Sequence, residues 1–365
     1  MKLPAARSSA PSTSNPAPRR GGHALRLFLL AVFSASFALA APAPAPAPIA
    51  STGQAEAKPF SVPLNTQVQL GIDAYEAIQF GYTQDESNEA FVDILASLRV
   101  PLLPAQQPVH GHGWQLFGDP AWAWHPFWAA TYRGGQHLLT RESSPVVSKR
   151  FNPVLLAARF VRNPEEKTRH EFIDVLYAHE SNGQSIANRR DFEDLRAIHA
   201  RSESPETAEN IARDAISRGW DYFSGRYDYH TESSSFSTVL KVFMVESLPQ
   251  GEKEEYNRDW ENDPQGKSRQ SVDGLTVSYL RRFKSHYELG ATWTTGLEHA
   301  FKYHTVKIEA GYRFSGRTRP RAFLWVRQGY NSDLVNYYRR SVSVGFAISI
   351  WEPSYLSNLL PPSAR

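Results

Sequence analysis

SVSVGFAISI, residues 341–350, alternates strictly between large apolar side chains and small or polar ones. This period of two is that of a β-strand, because successive side chains of a strand point to opposite faces. The stretch therefore predicts a strand with one apolar face and one polar face. The apolar face carries Val342, Val344, Phe346, Ile348 and Ile350, and the other carries Ser341, Ser343, Gly345, Ala347 and Ser349.

The same alternation recurs in EFIDVLYAHES (171–181), STVLKVFMVE (237–246) and HTVKIEAGY (304–312). Such strands fit a soluble sandwich, whose core takes the apolar faces, or an outer-membrane barrel, whose apolar faces meet lipid. Full charges such as Lys307 and Glu309 stand on the polar faces, and aromatic residues lie near the strand ends. We therefore expect an all-β fold with a single antiparallel transmembrane β-barrel, since only helices and closed barrels can span a bilayer.

Composition excludes several classes of function. The 365 residues include 40 basic and 37 acidic ones, and the net charge of +3 gives no basic surface for a nucleic-acid partner. The chain has no cysteine, which excludes disulfides, thiolate metal sites and cysteine nucleophiles.

The N-terminus resembles a secretory signal. An uncharged apolar run from Leu27 to Leu39 follows Arg19, Arg20 and Arg26 and ends in small residues. An N-terminal anchor is the alternative, although the run is short for one. The predicted organisation is a signal peptide at 1–40, a Pro/Ala-rich linker at 41–60, an N-terminal segment at 61–90 that packs on or into the barrel, the barrel at 91–352, and a C-terminal tail at 353–365.

One stretch interrupts the strand pattern. Residues 188–216 are polar and helix-prone, with Phe192, Leu195 and Ile198 at helical spacing and Pro205 at a second helix start. We expect a long exposed loop with one or two short helices. Long loops of outer-membrane barrels lie on the extracellular side.

The sequence YAHESNG (177–183) contains a possible nucleophile and base. His179 and Ser181 are two residues apart, so on a strand they share a face, and that face continues the apolar stripe. Serine ester hydrolysis needs a histidine to take the hydroxyl proton and a carboxylate or amide to orient the histidine.

The third group is predicted to come from WDYFSGRYDYH (220–230). Asp221 is the one charge on an otherwise apolar and aromatic face of this strand. If the two strands pair as an antiparallel hairpin, Asp221 comes close to His179 on the outer surface. A carboxylate facing lipid is costly unless it is partnered, which makes Asp221 a functional candidate.

Three blocks together resemble the outer-membrane phospholipase A family of Gram-negative bacteria. YAHESNGQS (177–185) is similar to its H-x-S-N-G block, SRGWDY (217–222) to its S-R-x-W-[ND] block, and ESSPVVSKRFNP (142–153) to its E-S-S-P block. The resemblance covers roughly residues 72 to 352.

The resemblance implies a twelve-stranded antiparallel barrel in the outer membrane. It implies calcium-dependent hydrolysis of the sn-1 and sn-2 acyl esters of phospholipids and lysophospholipids. The active site would lie outside the barrel and face the outer leaflet, and a reversible homodimer would be the active form. A non-catalytic barrel and a lipid acyltransferase on the same scaffold remain alternatives.

At the residues that match the motifs of the family, the resemblance implies Ser181 as nucleophile, His179 as general base and the Gly183 N–H as an oxyanion-hole donor. Asp221 matches the third triad position, where well-known members carry Asn. The implied Ca²⁺ ligands are Ser217, Asp214, the Gln184 backbone carbonyl and the Ser144 backbone carbonyl from the other subunit. Asp191 or Asp194 could replace Asp214, because the insert departs from the compact loop of the family.

Overall fold

The computed structural model describes most of the chain from residue 76 onwards. The described residues are 76–85, 90–102, 122–137, 147–162, 168–186, 188–244, 267–284, 286–315 and 320–351. The expected signal peptide (1–40), linker (41–60) and C-terminal tail (353–365) lie outside them.

Within these ranges, twelve strands form a closed antiparallel barrel. Each strand pairs with its neighbours in sequence, and the first strand closes the barrel against the last. The expectation of a single antiparallel barrel is therefore confirmed, and the sandwich is excluded. The strands are β1 (Ile78–Asp85), β2 (Ala90–Pro101), β3 (Trp122–His137), β4 (Val147–Arg162), β5 (Arg169–Ser181), β6 (Gly219–Thr231), β7 (Ser234–Phe243), β8 (Gly274–Phe283), β9 (Tyr287–Gly296), β10 (His304–Arg313), β11 (Arg321–Gly329) and β12 (Ser341–Trp351).

Helices occur only between strands in the described parts of the chain. They are α1 (Arg189–His199), α2 (Pro205–Asp214) and α3 (Arg269–Val272). Among the described residues, no helix is long and apolar enough to cross a membrane.

The barrel begins earlier than the sequence predicted. Residues 78–85 form a wall strand, whereas the prediction placed 61–90 in a segment packing on or into a barrel that starts at 91. Phe80 and Tyr82 are exposed on the outside and Thr83 is buried on the inside. The physical reason is closure of the barrel, because every residue of β1 pairs with β12, between Ser343 and Trp351.

Side chains alternate across the barrel wall as the opening stretch predicted. On β12, Val344, Phe346 and Ile348 are exposed, whereas Ser343 and Ser349 are buried inside. Neighbouring strands extend this exposed apolar surface around the barrel. An outer face of this kind suits lipid, since lipid-facing and lumen-facing residues alternate in membrane barrels.

Paired charges fill much of the lumen. The Arg159 guanidinium donates two hydrogen bonds of 2.7 Å to the Asp174 carboxylate. Such pairing is required because an isolated buried charge is strongly unfavourable. A cavity of about 420 Å³ remains among the inward side chains of several strands. Gly345 makes room for Trp325 beside it, because a Cβ on this glycine would clash with the Trp325 indole.

At one rim of the barrel the connections are short except for residues 102–121, which join β2 to β3, and at the other rim several connections are longer. Two residues join β6 to β7 at the first rim, whereas residues 182–218 join β5 to β6 at the second. This longer connection contains α1 and α2, so the prediction of one or two short helices is confirmed. It is not exposed throughout, because Phe192 and Ala212 pack with Ile186, Ile216 and Val335 in a buried cluster.

Because the outer wall is apolar, we expect the loss of stability caused by a charged substitution to depend on its depth in the membrane. Leu324, near the middle of β11, is 63% exposed, and Ile350 lies one residue before the end of β12. Leu324→Arg is expected to lower the free energy of unfolding by about 2–4 kcal/mol, and Ile350→Arg by about 0–1 kcal/mol. Denaturant unfolding in lipid vesicles measures both values. Equal costs at the two positions would contradict a membrane-spanning orientation.

Candidate active site

Strands β5 and β6 pair in the register that brings the predicted residues together. His179 lies opposite Asp221, and Ser181 lies opposite Gly219. Both pairs are on the outer face, because Phe223, two residues from Asp221, is 52% exposed. The predicted antiparallel hairpin and the proximity of Asp221 to His179 are therefore confirmed.

The imidazole of His179 is hydrogen-bonded to the carboxylate of Asp221. His179 Nδ1 lies 2.7 Å from Asp221 Oδ1, and the two side chains are 23% and 12% exposed. An ionised carboxylate only accepts hydrogen bonds, so Nδ1 carries the proton in this pair. The other ring nitrogen, Nε2, then has the lone pair that can take a proton from a nucleophile.

Ser181 and His179 border the same small space on the outer surface. A methyl group built on Gly219 would lie 3.4 Å from His179 Cε1 and 3.5 Å from Ser181 Cβ. Among the described residues, no hydrogen bond joins the Ser181 hydroxyl to the imidazole. In ligand-free enzymes this bond is commonly long and shortens only when substrate binds.

Aromatic side chains flank the pair on the outer wall. Tyr177 and Phe223 pack with ring centroids 5.2 Å apart on one side. Phe151 pairs with Ser181 across β4 and β5, and its ring lies 4.9 Å from that of Tyr132. The candidate side chains therefore lie in an apolar, aromatic surface rather than in an aqueous pocket.

Asn182 fixes the chain immediately after the serine. Its side chain is buried, donates to Ile216 O at 2.6 Å and accepts from Arg218 N at 2.9 Å. Gly183 then takes a φ of 62°, the left-handed region in which glycine carries no steric penalty. No described residue accepts a hydrogen bond from the Gly183 N–H, which is the predicted oxyanion donor.

Two of the predicted calcium ligands lie on neighbouring chain segments. Ser217 N donates to Ile186 O at 2.7 Å, which holds residues 182–186 against 215–218. Among the described residues, nothing uses the Gln184 carbonyl or the Ser217 hydroxyl in a hydrogen bond. Both are neutral oxygens, the ligand type that Ca²⁺ accepts alongside carboxylates.

The carboxylates that could complete a metal site do not lie together. Asp214 is the last residue of α2, three residues before Ser217. Asp191 accepts from Asn188 Nδ2 at 2.8 Å, and Asp194 lies on the exposed side of α1. In the described ranges, no three His, Asp or Glu side chains are grouped so as to hold a metal ion. Ser144 lies outside these ranges.

No role was predicted from the sequence for the residues directly behind the site. Glu180 faces the lumen between His179 and Ser181, as strand parity alone could have indicated. Its partner is Arg269, which is 89 residues away in sequence, so no local pattern connects them. Asn182 stands inside the H-x-S-N-G block, but its bonds to Ile216 and Arg218 depend on how the long connection folds back.

Solved structures of two outer membrane phospholipases have a fold similar to that of this chain. An active-site mutant of outer membrane phospholipase A from Escherichia coli aligns with 82% of this chain and 95% of its own length, at 15% identity and a TM-score of 0.50. A Salmonella typhi outer membrane phospholipase, solved as a dimer with bound calcium, aligns with 77% of this chain and 92% of its own length, at 14% identity and a TM-score of 0.50. No protein-family model and no curated protein sequence matches the chain.

At 14–15% sequence identity, the similarity to these two structures supports a shared fold and nothing more specific. The chain is a twelve-stranded antiparallel β-barrel with the architecture of outer-membrane barrels. Its activity and its ligands are therefore matters for proposal.

Asn182→Ala is expected to loosen the base of the 182–218 connection, because it leaves buried backbone groups of residues 216 and 218 without their partner. Each such group costs about 1–3 kcal/mol. Trypsin cleavage after the exposed Arg201, between α1 and α2, should become about tenfold faster in the folded barrel. Asn188→Ser, which keeps a capping side chain on α1, is the control and should leave the rate unchanged. Equal rates for wild type and Asn182→Ala would show that Asn182 does not hold this loop.

Proposed function

We propose that this protein is a calcium-dependent outer-membrane phospholipase. It hydrolyses the sn-1 and sn-2 acyl esters of phospholipids and lysophospholipids with a Ser181, His179 and Asp221 triad. The observation that supports this best is the 2.7 Å hydrogen bond from His179 Nδ1 to Asp221 Oδ1, beside Ser181 on the apolar outer wall. A carboxylate hydrogen-bonded to a histidine on a lipid-facing surface is unfavourable without a role, so its presence there favours function over structure.

In the proposed acylation step, Ser181 Oγ attacks the ester carbonyl carbon. His179 Nε2 takes the hydroxyl proton, and the carbonyl oxygen becomes an oxyanion within reach of the Gly183 N–H. The C–O bond to the glycerol oxygen then breaks, and the imidazolium gives its proton to that oxygen. The lysophospholipid leaves, and the acyl group stays on Ser181 as an ester.

In the proposed deacylation step, water replaces the serine as nucleophile. His179 takes a proton from the water, and the hydroxyl oxygen forms a bond to the acyl carbon. The bond from that carbon to Ser181 Oγ then breaks, and the serine recovers its proton from the imidazolium. The products are a free fatty acid and the original enzyme.

Asp221 has two effects on this chemistry. Its carboxylate fixes the ring orientation and the tautomer of His179, which an amide oxygen could also do. Unlike an amide, it also carries a negative charge that stabilises the imidazolium formed in each step. The aspartate therefore fits the same mechanism that an asparagine serves in the family that the sequence resembles.

A calcium ion in this proposal is held by Ser217, Gln184 and Asp214, with Ser144 contributed by a second copy. Bound there, the ion supplies positive charge that stabilises the oxyanion. The residues fit this role because their donor atoms are all oxygens. In addition, hydrogen bonds join residues 182–186, which include Gly183 and Gln184, to residues 215–218, which include Ser217.

The proposed location and assembly follow from the same surface. The triad lies at the rim with the longer connections, which in outer-membrane barrels faces outward, so it would meet the outer leaflet. Phe151, Leu155 and Leu156 form an exposed apolar surface on the adjacent strand β4. A second copy that covers this surface reversibly would complete the proposed homodimer.

Ser181→Ala is expected to abolish fatty acid release from phospholipid in the presence of calcium, because the acyl-enzyme cannot form. Loss of a triad nucleophile lowers kcat by about 10⁶-fold in a soluble serine hydrolase. The measurement is free fatty acid released by refolded protein in mixed micelles. Ser185→Ala, at an exposed serine four residues further along, should retain activity.

Product analysis of the same reaction separates the alternatives. Transfer to a second lipid would yield a new acylated lipid and no free fatty acid, which would indicate an acyltransferase. A correctly folded wild-type barrel that cleaves no acyl ester in calcium would indicate a non-catalytic protein. Unchanged hydrolysis by Ser181→Ala would contradict the proposed mechanism.

Removing calcium tests the proposed cofactor separately. Chelation is expected to stop hydrolysis, and re-added Ca²⁺ should restore it, because the oxyanion loses its main positive charge. Ser217→Ala should raise the half-saturating Ca²⁺ concentration about tenfold or more, whereas Ser202→Ala, in the exposed turn between α1 and α2, should not. Full activity in excess chelator would show that hydrolysis does not require calcium.

A further inference from the structure

A fully buried arginine reaches the inner side of the candidate site from a different loop. Arg269 begins α3, between β7 and β8, and its side chain is completely shielded from solvent. It extends into the lumen behind β5 and β6. The proposed chemistry on the outer face makes no direct use of it.

The first strand that Arg269 contacts is β5. Its Nε and Nη2 donate hydrogen bonds to Glu180 Oε1 at 2.9 and 2.7 Å. Glu180 is also fully buried, and it stands between His179 and Ser181 in the chain. The guanidinium therefore holds β5 at the residue that separates the proposed base from the proposed nucleophile.

The second strand that Arg269 contacts is β6. Its Cζ lies 5.4 Å from the ring centroid of Trp220, within the range of a cation–π interaction. Trp220 is buried and directly precedes Asp221. Trp220 also pairs with Glu180 across the two strands, so one guanidinium binds both members of a single cross-strand pair.

This inner pair lies between the two outer pairs of the site. Along β5 and β6, Glu180 and Trp220 separate the His179–Asp221 pair from the Ser181–Gly219 pair. Because side chains alternate along a strand, a movement of the inner pair moves the outer pairs with it. A misplacement of about 1 Å in a catalytic constellation lowers the rate about 100-fold.

Arg269 is itself held firmly. Its Nη2 donates to Asp273 Oδ2 at 3.0 Å, and Nη1 donates to Asn331 Oδ1. Burial would raise the pKa of Asp273, but Lys241 and Arg269 outweigh it and keep this pKa below its usual range. Helix α3 is tied to the β9–β10 connection, where Ser271 Oγ donates to Glu298 Oε2 at 2.9 Å.

We propose that Arg269 is a positioning residue, which sets the distance between the nucleophile and the His179–Asp221 pair by binding Glu180 and Trp220 from inside the barrel. This inference rests on the proposed function. It adds that the catalytic geometry on the outer wall depends on an ion pair in the lumen.

The barrel contains a matched network that serves as a control. Near the rim of short turns, Arg313 donates to Glu288 Oε1 from Nε and Nη2 at 3.0 and 2.9 Å. Both side chains are buried, as in the Arg269–Glu180 pair. Glu288 also accepts from Arg282, which donates to Thr231 O, at the end of β6 that lies ten residues from Asp221, and to Ser235 Oγ on β7. Removing Arg313 therefore disturbs the lumen without disturbing the site.

The test compares Arg269→Met with Arg313→Met in refolded protein. Urea unfolding measures stability, and fatty acid release over a range of phospholipid surface concentrations separates kcat from KM. We expect both variants to be less stable than wild type. Arg269→Met should lower kcat about 100-fold with KM changed less than about threefold, because substrate contacts the unaltered outer face. Arg313→Met should keep kcat within about twofold of wild type.

A second variant keeps the test valid if Arg269→Met does not fold. Arg269→Met with Glu180→Gln removes both charges, so no unpaired carboxylate remains buried. This double variant should fold and still show the loss of kcat, because the contact that joins β5 to β6 is still absent.

Two results would overturn the proposal, and they are distinguishable from failure of the proposed function. Wild-type kcat in a folded Arg269 variant, or equal losses in the Arg269 and Arg313 variants, would show that Arg269 only stabilises the barrel. In both cases the wild type remains a phospholipase. A wild type that releases no fatty acid would instead remove the proposed function, and the positioning role with it.

Discussion

The closed ladder of backbone hydrogen bonds determines the arrangement of every strand in the barrel. Lipid offers no hydrogen-bond partners, so every strand must be paired on both edges, and β1 must close against β12. Closure fixes which side of each strand is inside and which is outside. An alternating sequence then becomes a wall with an apolar outer surface and a charged lumen, and a shift of one residue would exchange the two. The position of every functional side chain follows from this parity.

The candidate site uses both sides of that wall. Outside, His179 and Asp221 form a hydrogen-bonded pair beside Ser181 in an aromatic, apolar surface. Inside, Glu180 and Arg269 form the buried ion pair that lies directly behind it. The two layers have different physical tasks. In the proposed function, the outer layer meets a substrate that resides in the membrane, and the inner layer supplies rigidity, since a paired and fully buried network has few alternative arrangements.

Much of this arrangement could be predicted from the sequence because it depends on local period. The strand that contains His179 and the strand that contains Asp221 were both recognisable by alternation, and an antiparallel hairpin was enough to bring the two residues together. The first strand was missed because its alternation spans only eight residues, 78–85, and closure with β12 is a long-range property. The role of Arg269 was out of reach for the same reason, since its partner Glu180 is 89 positions away. The calcium ligands were proposed from resemblance, and their donor atoms depend on how the 182–218 connection folds.

The proposed mechanism requires the outward-facing Ser181 to be an activated nucleophile. The most direct measurement is labelling of the refolded wild-type protein with a long-chain alkyl fluorophosphonate, which reacts only with an activated serine, followed by mass-spectrometric mapping of the modified peptide. We expect a single phosphonate on Ser181, and no labelling after His179→Ala. A folded barrel that takes up no phosphonate, or that takes it up at another serine, would contradict this mechanism.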